Sequence, residues 1–209
     1  MGKSYQGIHG NWSGKVGNVV GRMRNNRTIL AIYQPEVANP QTPAQMANRA
    51  RFSLVSNFIS VVLSAVKIGF NELKGLGSAF SAAVKENFTD LVTGSYPSLT
   101  LDAAKAVVSK GTLDNAYAMS ATVDAGEVEV TWSDNSGIGN ALATDNVNIV
   151  IYNEDLNQAV FDLKSLLRET RTASISLPSA WDGDKIYIYA FASRSGMVSD
   201  TLFLGQFTA

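Results

Sequence analysis

The chain has no cysteine, which removes a disulfide framework, a thiolate nucleophile and cysteine-held metals. It has one histidine, His9, so a histidine-rich zinc site or a Ser-His-Asp triad is poorly supplied. Negative charge is nearly missing from the first fifty-one residues. There Lys3, Lys15, Arg22, Arg24, Arg27, Arg49 and Arg51 face Glu36 alone, a balance of +6. Residues 52–209 hold ten basic and seventeen acidic groups, a balance of −7. The two nearly cancel, and a net charge of −1 predicts no strong global attraction to nucleic acid or membrane. The segregation suits a basic arm that meets an acidic neighbour. It suits equally an arm lying near nucleic acid, and chance would also produce it. The start, Met1 to Gln6, has no apolar signal core, which predicts no Sec export. Gln6 stands where N-myristoylation wants Ser or Thr. Without export, the Asn-x-Ser/Thr matches at Asn11, Asn26 and Asn87 are coincidental.

What is present argues for a real core. The apolar fraction is 45% and the charged fraction 17%, outside the range of disordered chains. The first fifty residues carry the most distinctive texture. Gly7, Gly10, Gly14, Gly17 and Gly21 step by three and four. That spacing would line one helix face, and small faces let helices approach closely. Each glycine, however, costs a helix roughly 1 kcal/mol relative to alanine. The spacing therefore reads as extended chain, with glycine allowing kinks or close backbone approach. It matches neither the dinucleotide fingerprint nor the P-loop. Asn18–Arg24 and Thr28–Gln34 then flank Asn25-Asn26, which predicts a β-hairpin. Arg22, Arg24 and Arg27 cluster near its turn as a candidate basic contact.

A helix start follows. Thr42 is a good N-cap, Pro43 fits the first helical position, and Gln45 completes a capping box. The run Phe52–Phe70 has one charge in nineteen residues, close to a membrane span. Its polar residues are periodic, though: Ser53, Ser56, Asn57, Ser60, Ser64 and Lys67 form one stripe. Phe52, Val55, Phe58, Ile59, Val62, Val66 and Phe70 lie opposite. This is a mostly buried amphipathic helix and no membrane span. Ser78 can cap a second helix from Ala79 to about Val92. Leu99–Asp102 and Lys105–Ser109 look like short strands that could pair with the hairpin.

From about Asn115 the texture becomes β-rich. Seven runs are expected as strands: 118–123, 127–133, 146–152, 159–163, 172–177, 185–193 and 201–207. Clean alternation, as in Val128-x-Val130-x-Trp132, argues a small antiparallel sandwich. This half resembles a fibronectin type III module. Trp132 stands like that family's buried strand-B tryptophan. Asn148–Asn153 is similar to its central strand, and Ile186–Gly196 followed by Val198–Asp200 to its final strands. The Leu-x-Pro-x-x-x-Tyr corner is not reproduced, since Leu177-Pro178 lies too far before Tyr187. The expected fold is thus an α+β N-terminal domain of hairpin, two helices and short strands, residues 1–113. An all-β immunoglobulin/fibronectin-like sandwich, residues 114–209, follows.

The whole chain is also similar to a family of uncharacterised proteins in Bacteroidota and their phages. The residues that carry this are Gly10-x-x-x-Gly14-Lys-Val-Gly17, Asn39-Pro-x-Thr-Pro-x-Gln45 with Arg49 and Phe52, Val108-Ser-Lys-Gly111, and the sandwich. The resemblance implies architecture and a phage-linked setting.

Candidate chemistry is sparse. Asp182/Asp184 and Glu154/Asp155 pair carboxylates, but in turn contexts where Asp and Gly make turns. Asp134-Asn-Ser-Gly137 is a fragment of a calcium loop without its distal Glu. His9 with Trp12 could form a binding pair. Tyr187, Tyr189 and Phe191 alternate, which divides them between core and surface rather than making a base-stacking platform. No catalytic, cofactor or metal residue is expected. The reading is a non-enzymatic structural protein, most plausibly a phage virion component (capsid, decoration, neck or tail subunit) made in the host cytoplasm. It would work as a homo-oligomer with other virion proteins. Gly7, Gly10, Trp12, Gly14, Gly17 and Gly21 are the expected assembly residues, acting by strand addition. The alternatives are a nucleic-acid-binding accessory protein using Arg22, Arg24 and Arg27, and a surface-adhesion module.

Overall fold

A computed structural model describes residues 3–4, 12–24, 27–36, 39–72 and 77–209. The chain divides into two compact units, Met1–Gln41 and Thr42–Ala209. The class is α+β, and every strand pair within the sheets is antiparallel.

The first unit is a four-stranded sheet in the order β1-β2-β3-β4. Its strands are β1 (Lys3–Ser4), β2 (Trp12–Val16), β3 (Val19–Arg24) and β4 (Arg27–Ile32). The described part of the glycine ladder is therefore extended, as its helix cost dictates. Gly17 sits with Asn18 at the turn between β2 and β3, at φ +58°, a conformation that glycine adopts without a Cβ penalty. The expected hairpin is β3–β4, with Arg24 opposite Arg27. Its Asn25-Asn26 turn lies outside the described residues, as do Gly7, His9 and Gly10. The sequence pattern showed one hairpin; the structure adds a second, β2–β3, through Gly17-Asn18.

The second unit opens with α1 (Pro43–Val61), α2 (Leu63–Gly69) and α3 (Ala79–Asn87). Thr42 caps α1 by accepting the Gln45 N–H at 3.4 Å, and Ser78 caps α3 through the Ser81 N–H at 3.2 Å. The long apolar helix expected through Phe70 is instead broken at Val62, where α1 and α2 meet at 86°. Val62 and Val66 are both fully buried, so the bend lets both pieces turn their apolar stripe onto one core. Among the described residues, no single helix is long and apolar enough to cross a membrane. Ser53, Asn57, Ser60, Ser64 and Lys67 of the polar stripe are exposed as expected, but the Ser56 hydroxyl is buried and Phe52 is exposed.

After α3 the chain departs from expectation. That helix stops at Asn87 rather than near Val92, and the Asn87 side chain ties its end to Val107. Its Nδ2 donates to Ala83 O and Val107 O, and its Oδ1 accepts the Val107 N–H. A small hairpin follows, β5 (Val92–Ser95) and β6 (Ser98–Leu101). These strands pair with each other and not with the N-terminal hairpin. Lys105–Ser109 is not a strand. Lys105 and Ala106 close a helical turn by donating to Asp102 O and Ala103 O, and the N–H groups of Val107, Val108 and Ser109 go to side chains, the last two both to Thr201 Oγ1.

All seven expected C-terminal strands are present, with one small addition. They are β7 (Tyr117–Asp124), β8 (Glu127–Ser133), β9 (Asn146–Asn153), β10 (Gln158–Leu167), β11 (Thr172–Ser176), β12 (Lys185–Arg194), the added β13 (Met197–Val198) and β14 (Leu202–Thr208). One sheet runs β11-β8-β7; the other runs β10-β9-β12-β13, with β14 also paired to β12. The two sheets share a sandwich-like core of Val128, Val130 and Trp132 from β8 with Ile149, Ile151, Ile186 and Ile188 from β9 and β12.

The opposite face of β9 and β12 is buried as well. Val150, Tyr152, Tyr187, Tyr189 and Phe191 form a second core with all three helices. Phe58 meets Tyr152 edge-on, 4.9 Å between ring centroids. A strand covered on both sides reads as a continuous apolar run, which is why 149–152 and 186–192 do. The boundary expected at 113/114 falls inside this second unit, where helices and sheet share one core.

Candidate functional site

Strand register sorts the first unit into two unlike faces. Residues directly opposite share a face, and successive residues alternate. Val16 is opposite Val19, and Gly14 opposite Gly21. Gly21 is in turn opposite Leu30, Val19 opposite Ile32, and Met23 opposite Thr28. These residues and Trp12 therefore line one face, which is almost wholly apolar. Lys15 is opposite Val20, Arg22 opposite Ile29, and Arg24 opposite Arg27. That second face is basic, with no acidic residue on any strand.

Glycine has a specific task on the apolar face. A Cβ at Gly21 would stand 2.8 Å from the Trp12 ring and 2.9 Å from its carbonyl oxygen. The indole thus lies directly over Gly21, in space that only glycine leaves. Gly14, at φ +110°, is a strand residue in backbone space that L side chains rarely adopt. The rest of the face is open. Leu30 and Ile32 are 59% and 75% exposed, and Val16, Val19 and Met23 are exposed as well. Isolated exposed hydrophobes are ordinary, but a contiguous set on one face marks a contact surface.

The basic face is equally particular. Arg24 and Arg27 are cross-strand partners, and like charges placed opposite each other oppose sheet pairing. Lys15 Nζ sits 3.3 Å from the centre of the Tyr33 ring, a cation–π contact that holds the ammonium on this face. The expected site residues are thus separated by face: Trp12, Gly14 and Gly21 lie on the apolar face, Arg22, Arg24 and Arg27 on the basic one, and Gly17 at the turn. The sequence reading missed Val16, Val19, Leu30 and Ile32 as contact residues. Their signal was the period-2 alternation of 19, 21 and 23 against 28, 30 and 32, hidden by the apolar residues Val20, Ile29 and Ala31 on the other face.

The carboxylates weighed for chemistry are turn and strand fasteners. Glu154 accepts the Tyr187 hydroxyl at 3.1 Å and pairs with Lys185 at 3.4 Å. Asp155 accepts the Lys185 N–H at 2.7 Å, and Asp184 accepts from Asn153 at 2.8 Å. Asp134 closes its turn by accepting the Ser136 N–H at 2.9 Å and the Ser136 hydroxyl. Those bonds, largest first the hydroxyl's, hold its carboxyl below the ordinary carboxylate range. Tyr187, Tyr189 and Phe191 do not divide between core and surface as expected: residues two apart on a strand share a face, and all three are buried in the core shared with the helices, so none is a stacking platform.

Residues 10–205 match a family of unknown function, DUF6266, and the chain belongs to that family. No curated protein matches it.

Proposed function

We propose that this member of an uncharacterised family is a structural subunit of a phage virion, assembling with copies of itself through the apolar face of its N-terminal sheet. The observation that carries this reading is the two-faced sheet. A small compact unit presents Val16, Val19, Met23, Leu30 and Ile32 outward, where water contact is costly. Stacking two such faces buries both, and a two-fold axis needs only one self-complementary patch. Basic faces then point away from each other, so the like charges do not oppose the contact. The fibronectin-like sandwich would be the displayed part, and the phage setting rests on the sequence resemblance given above.

Sedimentation velocity of the full chain at low and high salt tests this. The expected result is an oligomer that survives high salt, and a monomer for Leu30→Glu/Ile32→Glu. A wild-type monomer at both salts, or a variant oligomer identical to wild type, would overturn it.

The basic face supports a second reading, nucleic-acid binding. That reading expects binding of duplex DNA that falls steeply with salt, by counterion release. It also expects loss of that binding in Arg22→Ala/Arg24→Ala/Arg27→Ala. A triple variant that binds as wild type does would remove it.

A further inference from the structure

A cavity of about 400 Å³ opens in the second unit between α2, the β10 bulge and the β12–β13 hairpin. Three cationic side chains line it: Lys67 from α2, Lys164 from β10 and Arg194 from the end of β12. No carboxylate lines it; the remaining polar lining includes Asn71, Asn146 and Ser193. Among the described residues, neither Lys67 nor Lys164 forms an ion pair. Asp162, two residues before Lys164 on β10, is not among the lining residues, and Glu72, five residues after Lys67, accepts the Val198 N–H at 2.6 Å.

The charge behind the cavity is also unbalanced. Arg194 Nη1 lies 3.3 Å from Asp145 Oδ1, while Arg168, completely buried, takes the other oxygen of Asp145 at 3.1 Å. One carboxylate therefore serves two guanidinium groups, so Arg194 shares its counter-charge with Arg168. Arg194 is thus only partly neutralised and adds to the two exposed ammonium groups in front of it.

The position of Lys164 has been built rather than left to chance. Between Asp162 and Leu166 the β10–β9 register shifts, and Lys164 there has φ +63°. Left-handed backbone is unfavourable for a non-glycine residue, and such outliers cluster at functional sites. A bulge re-aims a side chain. This one is held by Asn148, a fully buried amide in the middle of an apolar strand. Asn148 Oδ1 accepts the Lys164 N–H at 3.0 Å, and its Nδ2 donates to Phe191 O at 3.2 Å and to Ser193 Oγ at 2.9 Å. A buried polar side chain thus ties the strained lysine to the strand that ends in Arg194.

We infer that this cavity binds a small multivalent oxyanion, a phosphoryl or polycarboxylate group, between Lys67, Lys164 and Arg194. Its size falls in the small-ligand range of about 300–1,000 Å³. A guanidinium and two ammonium groups are the donors that such a group takes best. The site goes beyond the proposed assembly role and does not depend on it.

Calorimetric titration of the full chain with pyrophosphate and with citrate, at ionic strength held constant with NaCl, tests the site. Binding of at least one is expected, with at least tenfold weaker affinity in Lys67→Gln/Lys164→Gln. Both lysines are exposed, so the double variant should keep the wild-type melting temperature without ligand. Arg22→Gln/Arg24→Gln/Arg27→Gln should bind as wild type does. Tighter pyrophosphate identifies a phosphoryl ligand, and tighter citrate a carboxylate one. No binding of either anion would overturn the inference. So would equal binding by the double lysine variant, or loss of binding in the arginine variant alone.

Discussion

Single residues hold this protein together at places where polarity is buried. Arg168 has no exposure, and both its terminal nitrogens are bonded while its Nε has no hydrogen-bond partner. Its Nη1 donates to Asn135 Oδ1 at 2.6 Å, and its Nη2 donates to Asp114 O at 2.7 Å and to Asp145. Its carbonyl accepts the Trp132 indole N–H at 2.7 Å. Removing one partner of a buried pair strands the other charge. Asp145→Asn is therefore expected to lower unfolding free energy by about 3 kcal/mol, read from urea denaturation. An unchanged midpoint would mean that the pair contributes nothing. Gly21 answers to a steric rule instead. Gly21→Ala drives a methyl into the Trp12 ring, and overpacking of this kind costs about 1–3 kcal/mol. Faster amide exchange confined to β2 and β3 would show it; exchange rates equal to wild type would refute the stacking of Trp12 on that position.

Tyrosines give the residue scale its pH dependence. Burial pushes the Tyr152 hydroxyl up to about 12. Burial first, and then the hydrogen bond to Glu154, push that of Tyr187 up to about 12 as well. An unfolded tyrosine titrates near 10. Between pH 10 and 12 the unfolded chain thus releases protons that the folded chain keeps, so stability falls as pH rises through that window. Below pH 10 these groups are neutral in both states and contribute no slope. Urea midpoints measured from pH 8 to 11.5 should bend downward above 10, and less so in Tyr152→Phe. A Tyr152→Phe curve parallel to wild type would assign the alkaline loss to other groups.

At the scale of elements, burial on two faces separates β9 and β12 from the rest. Both are covered by the second sheet on one side and by helices on the other. The strands of the first unit lack such cover, since Val16, Leu30 and Ile32 are exposed. Local opening is cheapest where few apolar contacts hold a segment. Native-state hydrogen exchange should therefore find the strongest protection in 147–152 and 186–192, and the weakest among strands in β2 to β4. The reverse order would mean that assembly covers the first unit in solution, and exchange at several protein concentrations would separate the two cases. The break between α1 and α2 belongs to this scale too. Neither proline nor glycine occurs at 60–65. The bend follows from what α1 and α2 cover rather than from a helix breaker.

At the scale of the whole molecule, charge and apolar surface are distributed together. The first unit carries five basic groups against Glu36, a balance of +4, and the second carries twelve basic against seventeen acidic, a balance of −5. Within the +4 unit, Val16, Val19, Met23, Leu30 and Ile32 stand exposed together on one face. If that face drives assembly, adding salt should leave the oligomer intact, because burial of apolar area does not weaken with screening.

Local chemistry was enough to write several parts of this protein from its residues. The Thr42 and Ser78 caps, the extended state of the described glycines, the β3–β4 hairpin and the seven C-terminal strands follow from propensity, capping and alternation, all of which act over a few residues. What lay beyond the reach of the sequence needed contacts distant along the chain. The 86° break at Val62 depends on where the sheet stands beneath the helices. Lys105–Ser109 looked like a strand by composition, yet the N–H groups of Val107, Val108 and Ser109 are taken by Asn87 and Thr201, the latter more than ninety residues away. The cationic cavity joins Lys67, Lys164 and Arg194 from three separate elements, and the only local trace of it was a polar Asn148 inside an apolar strand. Short-range rules select the elements; their bends, ends and shared cavities are decided by which apolar faces remain to be covered once the sheets have formed.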